Sequence, residues 1–140
     1  MGRYIKMARI IIDGNGAVFG RICSFTAKKA LEGNEVIIVN SEKTIMTGNK
    51  KDTIAKYSSV RKKGGHSQKG PKLSNVPHRI LKRAIRGMLP DHRKGQGKET
   101  LKRIKCYDGI PEEFKEEKMM KVNAPKKLKF MELKELASKI

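Results

Sequence analysis

The glycine turn after the first apolar run is the segment whose residue types and spacing are most typical of cofactor chemistry. Gly14, Gly16 and Gly20 follow the pattern GxGxxxG, a form that some NADP-binding proteins place between a strand and a helix. There, main-chain N–H groups and the helix N-terminus would hold a pyrophosphate. Against this, Asn40 rather than an acid ends the second apolar run, and no second βαβ half follows for a nicotinamide. The competing interpretation is a tight strand-to-helix turn with close helix–sheet contact, and we expect no cofactor.

The histidines and cysteines are spaced too widely for a metal site or a hydrolytic centre. His66, His78 and His92 all fall within a basic region, and Cys23 and Cys106 stand far apart without companions. Zinc sites require paired ligands at short spacing. Two solitary cysteines favour small packing roles in a reducing cytoplasm over a disulfide framework. We therefore predict a protein that holds no metal and is not an enzyme.

The positive charge is concentrated in one third of the chain. Residues 61–105 carry fifteen Lys and Arg but two acids, within a chain of 140 residues whose net charge is +19. Charge that served solubility alone would not need to be so uneven. A concentrated basic surface suits a phosphate backbone, because each neutralised phosphate releases condensed counterions. The composition therefore predicts a nucleic-acid partner.

Three segments of this region carry the candidate contacts. A helix is predicted from Pro77 to Pro90, with Ile80, Ala84 and Met88 along its apolar face and its bases on the other side. Basic loops rich in glycine flank this helix on both sides, and glycines such as Gly70, Gly95 and Gly97 would allow close main-chain approach. The predicted contacts are Arg61, Lys62, Lys63, Gly64, Gly65, His66, Lys69, Lys72, Arg79, Lys82, Arg83, Arg86, Arg93, Lys94 and Lys98.

Structured RNA is the predicted class of nucleic acid. Four Phe, three Tyr and no Trp supply few aromatic platforms for stacking single-stranded bases. Neither a helix-turn-helix nor a zinc finger is visible, so sequence-specific DNA reading is not expected. The pattern favours recognition of RNA by shape. No stretch approaches the eighteen apolar residues of a membrane span, so no membrane partner is expected.

The elements that would position these residues begin with a βαβ unit. The apolar runs Ala8–Ile12 and Val36–Val39 are continuous rather than alternating, which predicts strands of a parallel sheet covered on both faces. A helix over residues 17–31 joins them, and Gly33 ends it. Further on, the sequence predicts a helix beginning near Asn49. Other predictions are a basic loop at residues 93–98, a strand at 104–107, and a C-terminal helix with Phe130, Leu133, Ala137 and Ile140 on its apolar face.

Five segments of the chain, DGNGAVFGRICSFTAKKALEG, VIIVNSEK, TGNKKDTIAKY, PHRILKRAIRGMLP and KCYDGIPEEF, together resemble the family of large-subunit ribosomal protein thirteen, in its archaeal form. The most specific pieces are Gly20-Arg21 with Ser24, the run Arg86–Pro90 and the run Tyr107–Pro111. The resemblance covers residues 8–114. It implies an α/β fold of three α/β/α layers around a mostly parallel four-stranded sheet.

The resemblance also implies a function. It places the chain on the large ribosomal subunit in the cytoplasm, bound to large-subunit rRNA and beside neighbouring ribosomal proteins, and joining early in assembly. The chain is expected to be one domain, with residues 61–105 as its RNA-binding region and 118–140 as a C-terminal extension. Two alternatives stay open, namely an NADP- or nucleotide-binding protein that uses the Gly14–Gly20 turn, and a non-ribosomal regulator that binds messenger RNA.

Overall fold

The chain folds into α-helices and short β-strands, and its first half begins with a strand–helix–strand unit. The computed structural model describes residues 8–62, 73–122 and 129–140. In chain order the elements are β1 (Arg9–Asp13), α1 (Phe19–Leu31), β2 (Glu35–Val39), a first 3-10 helix (Ser41–Lys43), β3 (Ile45–Thr47), α2 (Lys50–Lys62), α3 (Pro77–Gly87), α4 (Gly95–Lys102), β4 (Ile104–Cys106), a second 3-10 helix (Glu112–Phe114), β5 (Met120–Lys121), β6 (Phe130–Glu132) and α5 (Leu133–Lys139).

A parallel four-stranded sheet forms the centre of the fold, in the order β4-β2-β1-β5. In the pairing of β1 with β2, Ile11 lies opposite Ile37 and Ile12 lies opposite Ile38. Ile12 and Ile38 belong to one buried cluster, whereas Ile11 and Ile37 belong to another on the opposite face. Because both faces are covered, apolar residues occupy every position of the strand centres. The predicted parallel sheet is confirmed.

The α-helices pack on one face of this sheet. The larger core joins Ile22 of α1, Leu81 of α3 and Leu136 of α5 to the strands, and partly buried Tyr57 of α2 packs against it. In the described part of the chain, the other face is covered by the second 3-10 helix, whose Phe114 packs with β1 and β2. The sheet thus lies between a thick helical layer and a thin one, within the predicted α/β class.

A second, two-stranded sheet connects the last described segment to the core. β3 and β6 pair antiparallel, with Ile45 opposite Glu132, and the Leu133 amide donates to the Thr44 carbonyl at 2.8 Å. Leu133 and Leu136 of α5 are fully buried. The segment from residue 129 onward is therefore an integral part of the main core.

Three local predictions are wrong. Residues 95–98 begin the helix α4 rather than extending a loop. Met88 was placed on the apolar face of α3, but α3 ends at Gly87 and Met88 is 47% exposed. Phe130 lies in β6 with 46% exposure rather than on the apolar face of the last helix. In both exposed cases the side chain lies outside the helix to which it was assigned, so the helical periodicity no longer directs it inward.

Candidate nucleic-acid interface

Helix α3 is a rigid support for charge. It begins with Pro77 at its first position, where the fixed φ of proline suits a helix and the missing N–H is not needed. Ile80, Leu81 and Ile85 are at most 2% exposed and anchor the helix in the larger core. The opposite side, an arc of about 100° at 3.6 residues per turn, carries the bases. These bases are Arg79, Lys82, Arg83 and Arg86.

These four bases line a shallow concavity between α3 and α4. Its volume is about 300 Å³, and Ser74 and Leu101 complete its lining. Within residues 8–62, 73–122 and 129–140, none of the four forms an ion pair with an acid. Four neighbouring cations without counter-charges repel one another, and an anionic partner would remove that repulsion. The structure thus brings together the four predicted contacts of α3.

Other bases of the region 61–105 are engaged inside the protein. The Arg103 guanidinium donates to the carbonyl of Ala30 at the end of α1, over 2.9 Å. Lys105 lies 4.0 Å from the Glu35 carboxylate, and an ion pair of 3.9 Å joins Lys102 and Glu99 of α4. None of these three bases was among the predicted contacts. They stabilise the fold or sit in local pairs.

The predicted contacts after α3 lie at the start of α4. Arg93, Lys94 and Lys98 are all exposed. The Asp91 carboxylate accepts a hydrogen bond of 3.0 Å from the Arg93 amide, so one of the two acids in the basic region shapes the turn. Gly97 packs against this turn, because a Cβ there would collide with the main-chain oxygens of Pro90 and Asp91. Gly97 is therefore needed for packing within the protein.

The remaining predicted contacts lie at the end of α2 and beyond it. Arg61 and Lys62 are exposed in its last turn. The Arg61 guanidinium donates a hydrogen bond of 2.6 Å to the main-chain oxygen of Ile140, so that side chain already has a partner in the protein. Six predicted contacts and Gly70 fall outside the described residues: Lys63, Gly64, Gly65, His66, Lys69 and Lys72.

A second concavity, of about 380 Å³, lies on the other side of the basic row of α3. Its lining comprises Tyr57, Leu73, Ile80, Arg83, Ala84, Arg86, Gly87 and His92. Burial raises the pKa of the Tyr57 hydroxyl, and Cys23 raises it further, while nearby Arg83 opposes the shift. Neither Tyr57 nor His92 was among the contacts predicted from the sequence. Their meeting with Arg83 and Arg86 depends on tertiary structure.

A contact between a histidine and a carboxylate fixes the start of α3 to the loop after β4. His78 Nδ1 lies 2.8 Å from the Asp108 carboxylate in the loop after β4. In the same loop, the Gly109 amide donates to the Glu42 carboxylate at 2.9 Å. These contacts orient the basic row with respect to the carboxyl ends of the strands. His78, unlike its arginine neighbour Arg79, therefore has a structural partner.

The glycine turn is closed by the protein's own hydrogen bonds. Its four successive amides donate internally: Gly14 to the Val39 carbonyl (2.8 Å), Asn15 to the Asp13 carboxylate (3.0 Å), Gly16 to the Lys43 carbonyl (3.1 Å) and Ala17 to the Gly14 carbonyl (3.1 Å). These are the donors that a pyrophosphate would require. A Cβ at Gly14 would lie 3.0 Å from the oxygens of Val39 and Asn40, whereas one at Gly20 would meet nothing within 4 Å. The interpretation as a tight turn holds at Gly14, but the close contact expected at Gly20 is absent.

The described residues offer little to other chemistries. Among them, no three His, Cys, Asp or Glu side chains gather closely enough to hold a metal ion. No helix in residues 8–62, 73–122 or 129–140 is long and apolar enough to cross a membrane. Cys23 and Cys106 are both buried free thiols, and burial raises the pKa of Cys106 to about 12. A thiol of that pKa is a poor nucleophile near neutral pH.

Comparison with known proteins gives concordant results. The family model described as Ribosomal protein L13 matches residues 8–113. The large ribosomal subunit protein uL13 of Methanosarcina barkeri is 38% identical over 136 residues, which cover 93% of this chain and 96% of that protein. For the protein of the same name from Methanocaldococcus jannaschii, identity is 41% over 128 residues, covering 88% and 93%. For that of Methanosphaera stadtmanae it is 40% over 129 residues, covering 88% and 90%.

Proposed function

The chain belongs to the ribosomal protein L13 family, and on that premise we propose that it binds large-subunit rRNA through α3 and the basic segments on either side. Members of this family are structural constituents of the ribosome rather than enzymes. We place this chain on the large subunit in the cytoplasm, in the archaeal form of the family, with ribosomal proteins as its neighbours.

The observation that carries the proposal is the row of basic side chains on α3, which form no ion pair with any acid of the described residues. Arg79, Lys82, Arg83 and Arg86 project from a helix whose other side is anchored in the core, so their spacing is fixed before RNA arrives. Guanidinium groups can bind phosphate oxygens with two parallel hydrogen bonds. Each phosphate that is neutralised releases counterions, which supplies most of the sequence-independent affinity. The exposed Arg93, Lys94 and Lys98 at the start of α4 extend the same surface.

Early entry into the assembling subunit is the second part of the proposal. The four basic side chains of α3 repel one another in the free protein. RNA phosphates would remove this repulsion, so rRNA itself is the preferred partner. A protein that binds rRNA directly does not have to wait for neighbouring proteins to create its site. The segments at residues 61–72 and 93–98 would supply further contacts as the RNA folds around α3.

A charge-reversal experiment tests the role of α3. The triple variant Arg79→Glu, Arg83→Glu, Arg86→Glu is expressed with an affinity tag beside the native protein, and subunits are separated on sucrose gradients at low magnesium. We expect a loss of incorporation of at least about tenfold, because charged contacts to phosphate are removed and repulsion is added. Circular dichroism checks that the variant is folded, since all three side chains point away from the core.

The matched control carries the same change of charge elsewhere. Lys28, Lys115 and Lys134 are exposed and lie outside the basic region, and their triple reversal to Glu should leave incorporation within about twofold of normal. Equal incorporation of both variants would contradict the role of α3. Recovery of the native protein only at the top of the gradient, together with messenger RNA, would instead favour the regulatory alternative.

A further inference from the structure

We propose that the second concavity, between α2, α3 and the loop after α3, binds the base of a single unstacked nucleotide of the rRNA. This inference rests on the proposed function and assigns a distinct task to one part of the interface. The predicted contacts on α3 account for phosphates, whereas the walls of this concavity have the chemistry of a base pocket.

The walls come from four separate segments. Tyr57 projects from α2, Leu73 precedes α3, Arg83 and Ala84 belong to α3, and His92 follows it. Part of the lining is apolar and buried, since Leu73 is 6% and Ile80 2% exposed. The rings of Tyr57 and His92 therefore line the concavity together with apolar side chains.

The rings and the guanidinium groups are of the kinds that bind unstacked bases. Proteins recognise splayed-out RNA bases by stacking them on Tyr, His or the plane of an Arg guanidinium. Tyr57, His92 and Arg83 supply all three within one concavity, and Arg86 stands beside them for the attached phosphate. A volume of about 380 Å³ lies within the range of about 300–1,000 Å³ that is typical of small-ligand sites.

The first concavity has a different chemistry. Its lining consists of the four basic side chains of α3 together with Ser74 and Leu101, and no aromatic ring contributes to it. That lining suits phosphate groups on the outside of an RNA strand. Arg83 and Arg86 line both concavities, so one strand can place a phosphate on the ridge that they form and turn its base into the second concavity.

Affinity measurements on ring variants test the proposal. The full chain and its variants are titrated with transcribed large-subunit rRNA over a series of potassium chloride concentrations. Tyr57→Phe keeps the ring and should bind within about twofold of the parent, whereas Tyr57→Leu removes the ring but keeps apolar packing. We expect about tenfold weaker binding for the latter, as base–aromatic stacking implies. Its salt dependence should be unchanged, because every phosphate is still neutralised.

Two control variants are needed to interpret the affinity of Tyr57→Leu. Phe130→Leu makes a comparable change at an exposed ring in β6 that does not line the concavity, and should bind like the parent. Arg83→Gln should weaken binding and also make the salt dependence shallower, because it leaves one phosphate without its cation. A parent-like affinity of folded Tyr57→Leu would overturn the base pocket alone. Failure of the parent itself to bind the rRNA would overturn the proposed function as well.

Photochemical cross-linking gives a test that does not depend on any variant. Purified large subunits are irradiated at short wavelength and digested with trypsin, which releases Tyr57 in the peptide YSSVR and His92 in the peptide GMLPDHR. The proposal requires one of these peptides to carry a nucleotide. If cross-links form at α3 and α4 peptides but at neither of these, the pocket does not hold a base, even where Tyr57→Leu proves too unstable to assay.

Discussion

Two helical glycines occupy positions where the fold requires none. Gly20 lies in the first turn of α1 and Gly87 in the last turn of α3, both outside the set of positive-φ glycines, and a Cβ at either would meet nothing within 4 Å. Glycine in a helix costs about 0.5–1 kcal/mol relative to alanine. Gly87, unlike Gly20, lines the second concavity. Its missing side chain therefore leaves space in that concavity at the cost of some stability.

Alanine at these two positions separates stability from binding. Both Gly20→Ala and Gly87→Ala should raise the free energy of unfolding by up to about 1 kcal/mol, as measured by denaturant titration. Only Gly87→Ala should weaken binding to rRNA, because its methyl group enters the space next to Arg83 and Arg86. Equal rRNA affinities of the two variants would show that Gly87 is not part of the interface.

The buried thiols make stability depend on alkaline pH. Burial raises the pKa of Cys23 and Cys106 in the folded state above the ordinary value of 9.0, for Cys106 to about 12. The folded protein therefore retains protons that the unfolded chain releases above pH 9, and stability falls as pH rises from about 9 towards 12. Cys106→Ser, which cannot ionise in this range, should show a shallower decline than the parent in denaturant titrations.

Reactivity provides a simpler check of the same burial. At pH 8 neither thiol of the folded protein should react with a chromogenic disulfide reagent within minutes, and two thiols should react once guanidinium unfolds the chain. Rapid modification of one thiol without unfolding would show that this thiol is open to solvent.

At the scale of elements, the sequence predicted what is encoded locally. The unit β1–α1–β2 is marked by continuous apolar runs and a helical apolar row, and it was predicted to within two residues at each end. Helix α3 was found for a similar reason, because an amphipathic row lies between two prolines, Pro77 and Pro90. In both cases a single stretch of chain contains the whole pattern.

The elements that were missed depend on distant partners. Strands β5 and β6 span two and three residues and exist because β1 and β3 pair with them across the fold. Helix α4 was taken for a loop because glycines are poor helix formers, although Gly97 is required for packing against Pro90 and Asp91. Tyr57 and His92 likewise line one concavity only because α2 packs beside α3, and no local sequence pattern predicts that packing.

Gly97 gives an element-scale prediction about α4. Alanine is normally the better helix former, but its methyl group would collide here with the main-chain oxygens of Pro90 and Asp91. Gly97→Ala should therefore destabilise the protein by about 1–3 kcal/mol, the usual range for overpacking, measured by thermal or denaturant unfolding. Exposed Gln96→Ala in the same turn is the control and should change stability by less than about 0.5 kcal/mol. A neutral Gly97→Ala would mean that α4 can shift away from the turn without cost.

At the scale of the whole molecule, salt should act on stability and on binding in opposite directions. The chain has a net charge of +19, and four of its bases lie together on α3 without ion pairs to the described residues. Salt screens their mutual repulsion, since the Debye length falls from about 30 Å at 0.01 M to about 10 Å at 0.1 M. The Tm of the free protein should therefore rise over this range, while its affinity for rRNA falls.

The slope of the affinity reports how many phosphates the protein neutralises. A plot of log K against log salt should fall by about 0.7–0.9 per neutralised phosphate. Replacing Arg79, Arg83 and Arg86 by Gln should make the slope shallower by about one unit for each phosphate that is no longer neutralised. These variants should also melt at a higher temperature than the parent at low salt. A lower Tm would indicate that the arginines stabilise the free fold.

The position of β1 between β2 and β5 has a consequence for folding during synthesis. β2 follows β1 after about twenty residues, but β5 and the buried leucines of α5 come more than a hundred residues later. Because a ribosome adds about 5–20 residues per second, the second edge of β1 stays open for several seconds while its first edge is already paired. An open strand edge beside an uncovered apolar face is a site of unwanted association. During synthesis the nascent chain is therefore exposed to unwanted association for several seconds. The length of this interval depends on the sequence separation of β1 and β5, not on the stability of the finished fold.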